Sequence, residues 1–147
     1  MSSYTTSFTV DQSPDEVFKA INDVRSWWTG DVSGSTDALG DEFTYQYGDL
    51  HWSRQRIVEF VPGRKVAWRV VDARLTFAED PGEWVGTEIR FTIEPRGERA
   101  SVTFAHIGLT SALECFDNCS SAWSFYVNGS LRRLITTGEG PSTPPWA

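Results

Sequence analysis

The stretch SVTFAHIGLTSALECFDNCSSAWSFYVNGSLRRL, residues 101–134, decides the fold. Its opening reads with a period of two. Val102, Phe104 and His106 alternate with Ser101, Thr103 and Ala105, the pattern of a strand with one buried face. The pattern changes at Thr110. Ser111 and Glu114 have capping-box spacing. Beyond them Phe116, Cys119, Trp123, Tyr126, Val127, Ser130 and Leu134 fall on one face at helical spacing. Gly138, Gly140 and Pro141 end the run. The expected helix is about 25 residues long, or roughly 37 Å at 1.5 Å per residue.

Toward the N-terminus the period of two recurs. Ile89, Phe91 and Ile93 alternate with Glu88, Arg90, Thr92 and Glu94. Pro62-Gly63-Arg64 turns a candidate strand His51–Val61 into Lys65–Asp72. Phe43, Tyr45 and Tyr47 mark another strand. Residues 30–42, rich in Gly, Ser, Thr and Asp, read as a loop. Ser3 to Val10 reads as the first strand. Ser13-Pro14-Asp15-Glu16 then opens a helix with Val17, Phe18 and Ile21 as its buried stripe. A second short helix is expected over Val24 to Trp28.

The fold class is therefore α+β: one strand, two short helices, a run of antiparallel strands and one long C-terminal helix. That helix carries the only large apolar stripe able to cover the sheet. A curved sheet gripping it leaves room for a hollow between them. A single domain is expected over residues 1–140, with a tail at 141–147.

Composition narrows the function. The 147 residues are 39 % hydrophobic and 14 % aromatic, with seven Trp, which excludes a disordered chain. Thirteen basic against 20 acidic residues, net −7, disfavour nucleic acid or an anionic membrane as partner. No apolar run approaches the roughly 18 residues of a membrane span. Met1 to Thr6 lacks the basic and apolar regions of a signal peptide, so a cytoplasmic location is expected. The P-loop pattern is absent.

Several fragments, taken in order, resemble a known family. They are Phe8-x-Val10-x-x-Ser13-Pro14-Asp15-Glu16-Val17-Phe18, Ser26-Trp27-Trp28, and Ile57-Val58-Glu59-Phe60-Val61-Pro62 with Trp68. Glu83-Trp84-x-Gly86-Thr87, Phe104-x-His106-x-Gly108-Leu109 and Glu114-Cys115-x-x-x-Cys119-x-x-x-Trp123 follow, with Ser130-Leu131 and Thr136-Thr137-Gly138 at the close. Across residues 6–140 the chain resembles the Aha1-type family of the START-like, or Bet v 1-like (SRPBCC), superfamily. The family takes its name from an activator of the Hsp90 ATPase. The resemblance implies the helix-grip fold and a cavity. It does not imply one activity, because the superfamily includes carriers, receptors, cyclases and cochaperone domains.

The expected pocket lining is Phe43, Tyr45, Tyr47, Trp68, Ile89, Phe91, Phe104 and His106 from the sheet, with Phe116, Cys119, Trp123 and Tyr126 from the helix. The alternative is that these side chains fill a solid core. His106 is read either as an acid or base, or as a core histidine with a hydrogen-bond partner. No nucleophile motif accompanies it, and no catalytic residue is named. His51 has less to recommend it. Cys115 and Cys119 offer too few ligands for zinc, so no metal and no cofactor is expected. Gly129 inside the long helix implies either a bend or a close backbone.

Three functions follow as expectations. The first is binding of a small hydrophobic or amphipathic ligand between sheet and helix. The second is a cyclase- or hydrolase-like enzyme using the same pocket. The third is a chaperone-binding module like the Hsp90 activator. Superfamily members often form dimers, so a homodimer stays open.

Overall fold

A computed structural model describes residues 3–28, 30–76, 80–113 and 116–139. The chain opens with β1 (Tyr4–Val10) and α1 (Pro14–Asn22), then a single 3₁₀ turn, Val24–Ser26. Six strands follow: β2 (Asp31–Gly34), β3 (Glu42–Tyr47), β4 (His51–Val61), β5 (Lys65–Leu75), β6 (Glu88–Arg96) and β7 (Arg99–Ile107). The last element is α2, residues 116–137. Its outer parts, Phe116–Trp123 and Arg132–Thr137, are α-helical, and its middle, Ser124–Leu131, is π-helical.

The seven strands form one antiparallel sheet in the order β1-β7-β6-β5-β4-β3-β2. Alternation sends one set of side chains to the concave face. Ile89, Phe91 and Ile93 from β6 and Val102, Phe104 and His106 from β7 are all buried there. Register shifts at Arg54/Gln55 and Ile57/Glu59 interrupt the pairing of β4 with β5. The α1 cap is as expected: Ser13 Oγ accepts from the Glu16 N–H at 3.2 Å, and Pro14 occupies the first helical position.

Two details differ from the sequence reading. Residues 30–42 are not wholly loop, because Asp31–Gly34 pairs with β3, placing Val32 opposite Tyr45. Glycine makes that pairing possible at Gly34, where φ is +103° and a Cβ would sit 2.5 Å from the Glu42 carbonyl. The short helix expected through Trp28 shrinks to one turn ending at Ser26. Glu114, Cys115, Gly140 and the expected tail 141–147 lie outside the described residues.

The long helix holds the larger difference. Its buried residues include Cys119, Trp123, Val127, Leu131 and Ile135, at steps of four. A step of four advances an α-helix by about 400°, so such a stripe drifts roughly 40° each time. The wider π turn cancels that drift. Ile135 is thereby buried in the core, and Leu134 is only partly buried against it. Polar contacts hold the wide segment in place. Tyr4 and Ser124 hydroxyls meet at 2.5 Å, Asn128 Nδ2 donates to Thr6 Oγ1 at 3.0 Å, and buried Ser130 donates to the Trp27 carbonyl at 2.8 Å.

Gly129 faces solvent, and a Cβ there would meet nothing within 4 Å. A close backbone is therefore not the reason for it. Gly129→Ala should raise unfolding stability by about 0.5–1 kcal/mol through the lost entropy of glycine. Ser130→Ala should lower it by about 1–3 kcal/mol, by stranding a buried carbonyl. Urea denaturation of the two variants measures both.

Candidate ligand-binding site

Six aromatic residues and one imidazole meet between α2 and the strands β3 and β4. Trp28 stacks on Tyr45, with centroids 3.7 Å apart and planes 9° apart. Trp84 stacks parallel to Trp123 at 6.0 Å, and Trp28 meets Trp123 at 5.1 Å. Between these groups and α2 lies a cavity of about 390 Å³. It is bordered by Trp28, Tyr45, Tyr47, Leu50, His51 and Trp84 on one side. Asn118, Cys119, Ser121, Ala122, Trp123 and Tyr126 border it from α2. No Asp, Glu, Lys or Arg is among them. A mostly apolar lining with a few polar groups is the ordinary constitution of a small-molecule site.

Of the residues expected to line the pocket, Tyr45, Tyr47, Cys119, Trp123 and Tyr126 border it. Phe43, Trp68, Ile89, Phe91 and Phe104 sit in the packed core instead, each at most 1 % exposed. Trp68 stacks on Trp27 at 6.2 Å and tilts against Phe91 at 5.2 Å. Phe116 is partly buried against that core and does not border the cavity. Trp28, Trp84 and His51 border it without having been expected to. Trp28 leaves a helix turn and Trp84 lies in a turn region, so neither had a periodic signal.

His106 has both ring nitrogens engaged. The Trp123 indole N–H, which can only donate, reaches Nδ1 at 3.0 Å. The ring proton is therefore on Nε2, which donates to Thr87 Oγ1 at 2.8 Å. Thr87 in turn donates to the Trp84 carbonyl at 2.6 Å. Burial, and then the neighbouring His51, hold His106 down to about 3. It is a neutral strut between helix and sheet, and it does not border the cavity.

His51 is half-buried, and burial holds it down to about 3 as well. Its ring packs edge-on against Trp84 at 4.7 Å, Tyr45 at 5.1 Å and Trp28 at 6.0 Å. Burial pushes the Tyr45 hydroxyl far above its ordinary value, and a hydrogen bond with Tyr126 adds to the effect. That phenol stays protonated.

A second hollow, about 510 Å³ and more polar, lies on the other side of His51, among Gln46, Asp49, Trp52, Asp72 and Arg74. Arg54 and Arg56 are exposed and reach Glu42 at 3.6 and 2.6 Å, away from the cavity. Among the described residues no group of three or more His, Cys, Asp or Glu is placed to hold a metal ion. No helix among them is long and apolar enough to cross a membrane.

A family model described as polyketide cyclase / dehydrase and lipid transport matches residues 1–116. The chain belongs to this family. The match to polyketide cyclase / dehydrase and lipid transport ends as α2 begins, and solved structures cover the helix. The Aha1 dimer from Colwellia psychrerythraea, 22 % identical, superposes with a TM-score of 0.77 over 95 % of this chain and 100 % of its own. DynU16, a putative protein in the dynemicin biosynthetic locus, is 17 % identical with a TM-score of 0.65, covering 92 % of this chain and 47 % of that one. CalU16 from Micromonospora echinospora is 15 % identical with a TM-score of 0.65, over 91 % and 76 %. At these identities the likeness is one of fold, and it shows the helix-grip architecture. No curated protein matches the chain in sequence.

The buried histidines make stability depend on pH. Their ordinary value is near 6.5 and their folded value about 3. Between these limits the unfolded chain takes up protons that the folded chain refuses. Stability is therefore complete above about pH 6.5 and falls as pH drops toward 3. His106 alone should contribute about 1.4 kcal/mol per pH unit in that window. Urea midpoints at pH 7 and pH 5 measure the slope. His106→Gln, which can still accept from Trp123 and donate to Thr87, should remove the His106 share of the slope and leave that of His51.

Proposed function

We propose that the cavity between sheet and α2 binds a small hydrophobic or amphipathic molecule without reacting with it covalently. The observation that carries this reading is the cavity itself, about 390 Å³ with six aromatic residues and no charged side chain on its border. Burial of ligand surface there yields about 25 cal/mol per Å². Membership of a family that includes lipid transport supports it. The catalytic use of His106 lacks comparable support, because both of its nitrogens are already hydrogen-bonded inside the protein.

Native mass spectrometry of gently purified protein should reveal an adduct of a few hundred daltons, released on denaturation. Ala122 borders the cavity from α2, so Ala122→Trp fills the space without deleting a core contact. The variant should lose the adduct while keeping its urea midpoint near that of the parent. An adduct retained unchanged by Ala122→Trp would place the ligand elsewhere.

A further inference from the structure

His51, which borders the cavity and also the more polar hollow beside it, carries a nitrogen whose hydrogen-bonding role is dictated from beneath. Along the concave face of β4, His51, Ser53 and Gln55 point the same way, and Ser53 and Gln55 are fully buried. Gln55 Nε2 donates to Ser53 Oγ. Ser53 Oγ also lies 2.9 Å from His51 Nε2. The serine hydroxyl has one proton, and with the Gln55 amide placed to donate and its own Oε1 left unpartnered, no other acceptor for that proton is found among the described residues. It is used only if it points at Nε2, making Nε2 the acceptor. The ring proton of neutral His51 then sits on Nδ1. That nitrogen has no protein partner among the described residues, nor is it among the sealed, unpartnered buried atoms. The arrangement is the reverse of His106, whose proton is on Nε2.

The geometry points to His51 as the polar anchor of the ligand, its Nδ1–H donating to a carbonyl oxygen of an uncharged molecule that lies against Trp28 and Trp84. This rests on the cavity reading above and adds the chemistry of what enters. Three edge-on ring contacts, all with cavity-lining residues, fix the imidazole plane and hence the direction of the donor. An anionic head group finds no counter-charge on the border and would be desolvated without compensation. A neutral imidazole that stays neutral over the physiological range offers a donor but no positive charge. The pocket therefore selects a carbonyl over a carboxylate, and a carbonyl over a bare hydrocarbon of the same shape.

Fluorenone, fluorene and fluorene-carboxylate form a matched set of planar probes for calorimetric titration. Fluorenone should bind roughly ten-fold more tightly than fluorene, the worth of one neutral hydrogen bond in a buried site. Fluorene-carboxylate should bind most weakly. His51→Phe keeps a flat ring in place and should remove the ten-fold preference of fluorenone over fluorene. Equal binding of fluorenone and fluorene to the parent protein would overturn the His51 assignment and leave the cavity reading standing. Failure of all three probes to bind would overturn both. Nitrogen-15 NMR of the parent protein at neutral pH gives a check that needs no variant. A proton on Nδ1 of His51 is expected, and one on Nε2 would overturn the proposal.

Discussion

One buried hydrogen bond, from the Trp123 indole to His106, ties the long helix to the sheet at the place where function is proposed. An indole N–H sealed from water costs free energy unless it finds an acceptor. Here the acceptor is an imidazole that must remain neutral to accept. Its other nitrogen must then donate, Thr87 accepts, and the Thr87 hydroxyl donates to the Trp84 carbonyl. Four groups from α2, β7 and the segment before β6 are thus locked in one sequence of donors and acceptors. Both indoles in that sequence are cavity walls. The cavity keeps its shape because its walls are pinned from behind.

The aromatic core divides into two regions with different roles. Around Trp27, Trp68, Phe91 and Phe104 the rings interlock and are fully buried. Around Trp28, Tyr45, Trp84 and Trp123 they stand as panels with an opening between them and α2. The strand β4 serves both regions. Ile57 belongs to the closed one, and His51 and Ser53 serve the open one. The polar ladder along β4 is therefore placed where apolar packing gives way. That is where polar groups can be used to orient something rather than merely be buried.

The fold was legible because its signals are periodic. A period of two along β3, β6 and β7 and a helical stripe from residue 116 onward lead directly to a sheet gripping a helix. The same signals identify which faces turn inward, and so bring Tyr45, Cys119, Trp123 and Tyr126 to the interface between them. They do not say where that interface is filled and where it is hollow. Phe43 and Tyr45 alternate identically, yet the first packs against Trp68 and the second borders the cavity. Residues outside regular elements were illegible for a different reason. Trp84 reaches the cavity from a turn, and Trp28 from the end of a 3₁₀ turn, where no spacing rule applies. His51 stands on a strand whose inward residues, Ser53 and Gln55, are themselves polar. That hides the inward face from any reading based on apolar alternation. Ile135 is buried more deeply than Leu134, against a spacing rule that assumes an unbroken α-helix.

The wide middle of α2 has a bearing on comparison with distant relatives. Over the same span a π-helical segment accommodates about one residue more than an α-helix. A relative whose equivalent helix is wholly α would carry the same core on a shorter stretch of chain. Aligned without a gap, its last core residue would pair with Leu134 and its neighbour on the surface with Ile135. Residues after Gly129 would then look unrelated although they occupy equivalent places. An ungapped comparison of two such proteins would therefore overstate their divergence across this helix.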